Sequence, residues 1–154
     1  MNFIRPWLAV GTYRDVFNRA LLAHYSIQAT LQFVENVRYE GIASCYLPID
    51  DGVPVVPETL RKGVNFITEQ YNEGRIILSA CGAGVSRSVI FAAAALKEIE
   101  ELSLLEATTE VMYFRPEALP NPIVMRSVCT YYGEPFSHFQ LRERLREKKA
   151  TARY

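Results

Sequence analysis

The sequence predicts a single α/β domain with a mainly parallel central sheet flanked by helices. Two patterns lead there. Apolar strand-like runs alternate with segments of helical period through the first hundred residues, and a run of helices with its own start signals follows. With 154 residues, 49% of them hydrophobic, the chain is long enough to bury one sizeable core and short for two, so one domain is expected over residues 1–154.

Trp7 to Gly11 and Ile27 to Phe33 are apolar enough for short strands, with a weak helical signal from Asp15 to Ala23 between them. Ile42 to Ile49 reads as another strand and delivers the chain into the turn-rich loop Asp50-Asp51-Gly52-Val53-Pro54. From Pro57 to Tyr71, Leu60, Val64, Ile67 and Tyr71 recur at helical spacing behind a first-turn proline, and Gly74 stops them. Arg75 to Ala80 is then a nearly continuous apolar run, as in buried parallel strands.

Val89 to Leu96 is apolar or alanine on every side, which suits a helix buried mid-domain. Ser103-Leu104-Leu105-Glu106 has capping-box form and opens a helix that ends near Arg115, before Pro116. Asn121-Pro122 opens another, which runs to about Tyr132 before Gly133. Ser137 to Gln140 forms a second box at the start of a final helix, whose basic stretch Arg142 to Arg153 reads as a solvated face.

Lysine plus arginine equals aspartate plus glutamate at 17 each, so no global field draws the chain toward nucleic acid or membrane, and neither is expected as a partner. Oligomeric state stays open. Cys45, Cys81 and Cys129 are few and widely spaced, unlike a disulfide framework or zinc ligands. Cys45 and Cys129 are expected in the core. With no secretory pattern at the N-terminus, a cytoplasmic location is expected.

Chemistry concentrates in Cys81-Gly82-Ala83-Gly84-Val85-Ser86-Arg87-Ser88, between the buried strand and the buried helix. In parallel sheets ligands gather at the carboxyl ends of strands, and a loop leading into a helix offers unpaired N–H groups and the positive end of a dipole. Gly82, Ala83 and Gly84 let the backbone approach one phosphoryl group, with Val85 and Ser86 completing the cradle. Arg87 donates two parallel bonds to phosphoryl oxygens.

A thiol in such a field is a competent nucleophile at neutral pH, so Cys81 is the expected attacking group and a phosphocysteine the intermediate. A general acid must protonate the leaving oxygen, and Asp50 or Asp51, on a strand-end loop, is the expected source. The Ser88 hydroxyl is placed to donate to the sulfur when it departs. No metal or cofactor is required, and the two histidines, His24 and His138, have no metal-ligand spacing.

These residues resemble the compact dual-specificity phosphatase family, whose signature is Cys-x5-Arg followed by Ser or Thr; the match is Cys81 through Ser88. Leu47 to Gly52 resembles the family's general-acid loop, and Arg115 to Val124 its later helix entry, so the resemblance spans residues 3 to about 134. It implies a phosphotyrosine-phosphatase-like fold with Cys81 as nucleophile, Arg87 binding the phosphoryl group and Ser88 assisting thiolate departure. It favours Asp51, about thirty positions before the cysteine, over Asp50 as general acid. It also implies a shallow pocket open to phosphotyrosine, phosphoserine and phosphothreonine on protein substrates. One departure stands out: many members place histidine directly before the cysteine, and here the residue is Ala80.

Other readings stay open at this point. A phosphoinositide or RNA 5′-triphosphate phosphatase calls for basic residues inside the loop, which has none between Gly82 and Ser86. A non-catalytic phosphate-binding module typically loses the nucleophile or the acid, and both are present. Arsenate reductase places its cysteine loop near the N-terminus, and a sulfurtransferase has no use for an acidic loop.

Overall fold

Five strands, β1 (Asn2–Arg5), β2 (Leu8–Thr12), β3 (Ile27–Gln32), β4 (Ala43–Tyr46) and β5 (Ile76–Cys81), form one sheet in the order β1-β2-β5-β3-β4. The computed structural model describes residues 1–153; Tyr154, the last residue of the expected domain, lies outside the described residues. β2, β5, β3 and β4 run parallel, and β1 joins as an antiparallel edge hairpin with β2. The expected mainly parallel sheet is therefore present, with one added strand.

β5 lies between β2 and β3, and from Ile77 to Cys81 every residue is buried. Successive side chains point to opposite faces. Ile77 and Cys81, with Leu8, Val10 and Leu31, enter the main core, whereas Leu78 and Ala80 join a smaller cluster with Ala9, Val16, Leu22 and Ile27. Two short helices, α1 (Tyr13–Phe17) and α2 (Arg19–His24), cover that second face. The single weak helix expected from Asp15 to Ala23 is in fact these two, because Asn18 ends the first and caps the second by accepting from the Leu21 N–H.

The other face carries α3 (Pro57–Asn72), α4 (Arg87–Glu100), α5 (Leu104–Phe114) and α6 (Pro122–Tyr132), and α7 (His138–Thr151) lies outside against α5. α4 is buried without interruption from Ser88 to Leu96, as its all-round apolar sequence requires. The capping boxes at Ser103 and Ser137 are both formed, and Asn121 caps α6. The strand expected from Ile42 to Ile49 is shorter. Its ladder closes with the Leu47 N–H on the Gln32 carbonyl, and Pro48, lacking an N–H, cannot extend it.

Gly63 sets the spacing between α3 and α4. A Cβ there would lie 2.5 Å from the ring atoms Cδ1 and Cε1 of Phe91 and 3.0 Å from Leu47 Cδ1. Phe91 is fully buried against Phe33 and has nowhere to retreat. Overpacking of about 1–3 kcal/mol outweighs the roughly 1 kcal/mol that alanine gains over glycine in a helix. Gly63→Ala is expected to lower the thermal midpoint by a few degrees; a higher midpoint would show that the contact is loose.

Candidate active site

Cys81 ends β5, opposite Thr12 of β2 in the parallel ladder, and Arg87 opens α4. The intervening loop is held from behind by the segment between α5 and α6, residues 115–121. Arg115 Nε donates to the Gly84 carbonyl at 2.5 Å and Nη2 to the Ala83 carbonyl at 3.3 Å. The Leu119 N–H donates to the Val85 carbonyl at 2.8 Å, and the Asn121 N–H to Ser86 Oγ at 2.8 Å. Three successive carbonyls, at positions 83, 84 and 85, are thus drawn toward the protein. Their peptide units present the opposite, N–H side to the concavity.

Ser86 is the N-cap residue of α4, yet its hydroxyl makes no capping bond because it is occupied by the Asn121 N–H. The first N–H groups of α4 therefore stay uncapped by a side chain and face the loop with the positive end of the helix dipole. Gly84 has φ +67°, and a Cβ on it would fall 2.5 Å from Arg115 Nη2 and 2.6 Å from the Gly11 carbonyl oxygen. Only glycine fits there.

Arg87 connects the loop to the acidic turn. Its Nη1 donates to the Ile49 carbonyl at 2.6 Å, directly before Asp50 and Asp51, while Nη2 sits over Gly82, 3.4 Å from where a Cβ would be. Among the described residues, Arg87 Nε is the buried side-chain nitrogen or oxygen that has no hydrogen-bond partner. A buried guanidinium N–H left unpaired costs free energy, and it belongs to the edge of the group that grips an oxyanion with two parallel bonds.

Cys81 is buried, and its Sγ lies 3.0 Å from Ser88 Oγ. Ser88 is itself buried in the first turn of α4, and its carbonyl accepts from Ser79 Oγ at 3.1 Å. Ala80 points to the opposite face of the sheet, into the apolar cluster with Val16, Leu22 and Ile27. Asp50 and Asp51 are exposed on the turn and make no hydrogen bond to the cysteine loop. Gly52, at φ +81°, brings the turn against Asn121, whose Nδ2 would be 3.5 Å from a Cβ there. On the remaining side, Val34 Cγ2 comes within 3.9 Å of a Cβ on Gly82, and the loop bearing it is clamped by Gln32 through both N–H and carbonyl of Val37.

Arg115 is the site residue that sequence reasoning missed as such. A signal existed: Leu104, Thr108, Val111 and Arg115 fall on one helical face, and the first three are fully buried. Cys45 and Cys129 stand apart from the site, and burial pushes both thiols up. β4 and β5 are separated by β3, so Cys45 lies roughly 9–10 Å across the sheet from β5, too far for a disulfide with Cys81. Among the described residues no three His, Cys, Asp or Glu side chains converge as a metal-holding group.

A buried cysteine at the floor of a loop braced through its carbonyls, with a guanidinium on its flank, is the arrangement expected of the class of cysteine-based phosphatases. No family model matches the chain. It is 33% identical over 129 residues to dual specificity protein phosphatase 12 of Rattus norvegicus, across 77% of this chain and 37% of that protein. It is 26% identical over 139 residues to dual specificity protein phosphatase 19 of Mus musculus, across 85% of this chain and 61% of that protein. The chain thus spans about a third of the first relative and under two thirds of the second. Its fold matches the crystal structure of DUSP15 with a TM-score of 0.75 and 23% identity, over 94% of both chains. In sequence the chain is thus similar to dual specificity protein phosphatases, and it shares the fold of DUSP15.

Proposed function

We propose that this domain hydrolyses phosphate monoesters on protein side chains, phosphotyrosine as well as phosphoserine and phosphothreonine, through a phosphocysteine intermediate. The observation that carries this is the unpaired edge of Arg87 beside a loop whose carbonyls at positions 83, 84 and 85 are held from behind. In the first step the Cys81 thiolate attacks phosphorus, the P–O ester bond breaks, and Asp51 gives its proton to the leaving oxygen. In the second, water attacks phosphorus, its proton passes to the Asp51 carboxylate, and the P–S bond breaks with Ser88 Oγ donating to the departing sulfur. Each role falls to a side chain of this chain, without metal. A nucleophilic thiol works only when reduced, so the enzyme acts in the reducing cytoplasm.

The test is turnover of an aryl phosphate, then of phosphotyrosine, phosphothreonine and phosphoinositide substrates, in the presence of a chelator. Protein phosphopeptides are expected to be hydrolysed faster than phosphoinositides; the reverse order would move the substrate class to lipids. Asp51→Asn is expected to lower kcat by about 10²–10⁴-fold and to remove the alkaline limb of the pH–rate profile. If Asp50→Asn does this instead, the acid is Asp50.

A further inference from the structure

Helix α7 is polar on almost every side, and Leu141 alone is fully buried along it. Its cations fall into two sets. Those facing α5 are neutralised: Arg144 pairs with Glu106, and Lys148 with Glu110. On the outer side, Arg142, Arg146 and Lys149 follow one another at spacings of four and three residues, which aligns them along one strip of about 10 Å, and Arg153, in the turn just past the end of α7, lines the same face. All four are exposed. Arg146 shares Glu143, but among the described residues Arg142, Lys149 and Arg153 have no ionic partner.

Phe139, three residues before Arg142 and 65% exposed, heads the same strip. Between the outer side chains runs a shallow cavity of about 350 Å³ lined by Arg142, Leu145, Arg146, Lys149, Ala150 and Arg153. Every wall comes from α7 and its exit. With no facing element, the cavity cannot grip a small molecule or fix the register of a peptide; it suits a partner that brings its own broad anionic plane.

We propose that this face of α7 docks on an anionic lipid surface, with the four cations over the headgroups and Phe139 entering the boundary with the acyl chains. No described helix is long and apolar enough to cross a membrane, and the contact is a surface one. This departs from the expectation drawn from net charge. Cancellation over the whole chain conceals that the carboxylates of α5 neutralise the inner cations of α7, while on the outer row Arg142, Lys149 and Arg153 have no ionic partner among the described residues.

The strip also has a place relative to the catalytic loop. His138 Nε2 meets the Pro120 carbonyl at 3.0 Å, and the neighbouring Leu119, 66% exposed, holds the Val85 carbonyl with its N–H. The aromatic end of the strip therefore begins beside the cradle of the loop. The docking stands independently of the proposed catalysis.

The experiment is co-sedimentation with phosphatidylcholine vesicles, with and without phosphatidylserine, at about 0.1 M and about 1 M salt, between which the Debye length shrinks from about 10 Å to about 3 Å. The protein is expected on serine-lipid vesicles at low salt only. The triple variant Arg142→Gln, Arg146→Gln, Lys149→Gln should bind about a hundredfold more weakly, each cation contributing about fivefold, with circular dichroism and thermal unfolding unchanged. Phe139→Ser alone should also weaken binding. The proposal is overturned if the wild type ignores the anionic vesicles, if the triple variant binds them equally well, or if soluble polyglutamate is held more tightly than the vesicles, which would point to an acidic protein partner.

Discussion

Cys81→Ser is expected to abolish turnover while leaving phosphate binding intact. The oxyanion donors proposed for the loop are backbone N–H groups and Arg87, none of which depends on the sulfur, and the loop is held from behind by Arg115, Leu119 and Asn121. Serine is smaller than cysteine and fits the buried floor of the site. Among the described residues, however, the side-chain hydrogen-bond partner at this position is Ser88 Oγ, a group that is no base, so nothing ionises the new hydroxyl. Loss of a covalent nucleophile costs roughly 10⁶-fold in a serine hydrolase, and a decline of that order in kcat is expected here. Equilibrium dialysis of a phosphopeptide against the variant should return wild-type affinity within a few-fold. Residual turnover above about one per cent would show that Cys81 is not the attacking group.

Arg115→Lys is expected to weaken both the fold and the oxyanion site. Arg115 is only 5% exposed, and its guanidinium ties Gly84, Ala83 and Val10 carbonyls to Asn2 Oδ1. A lysine ammonium keeps the charge but cannot span four acceptors in a plane. Bonds from a charged donor are worth about 1.5–3 kcal/mol each, so a stability loss of about 2–4 kcal/mol should appear in urea unfolding. With the carbonyls at positions 83 and 84 released, the loop no longer presents its N–H groups convergently. Competitive inhibition by inorganic phosphate should weaken about tenfold or more, about 1.4 kcal/mol. A variant that unfolds more easily yet binds phosphate as before would make Arg115 a tie of the fold alone.

The catalytic loop was legible because its local signals agree: a continuous apolar strand, small residues, and a helix apolar on all sides. Helix starts at Ser103, Asn121 and Ser137 were legible for the same reason, since capping chemistry is local. β1 was not, because four residues containing Asn2 and Arg5 carry no strand pattern of their own and gain their place from β2. The bracing role of residues 115–121 was hidden because it is made largely by backbone groups and by a buried arginine whose partners lie 31 to 113 positions away. The outer row of α7 was visible as basic residues. Its significance emerged only when the inner cations were seen paired with α5.

The hydrogen bond from Arg115 to Asn2 couples edge strand β1 to a residue 113 positions further along the chain. Closure over that distance is entropically expensive and comes late in folding. A fragment emerging from the ribosome with residues 1–110 would already hold the cysteine and its arginine, yet nothing would pull the loop into shape. The shape of the loop thus waits for residues 115–121, made some thirty positions after the cysteine itself.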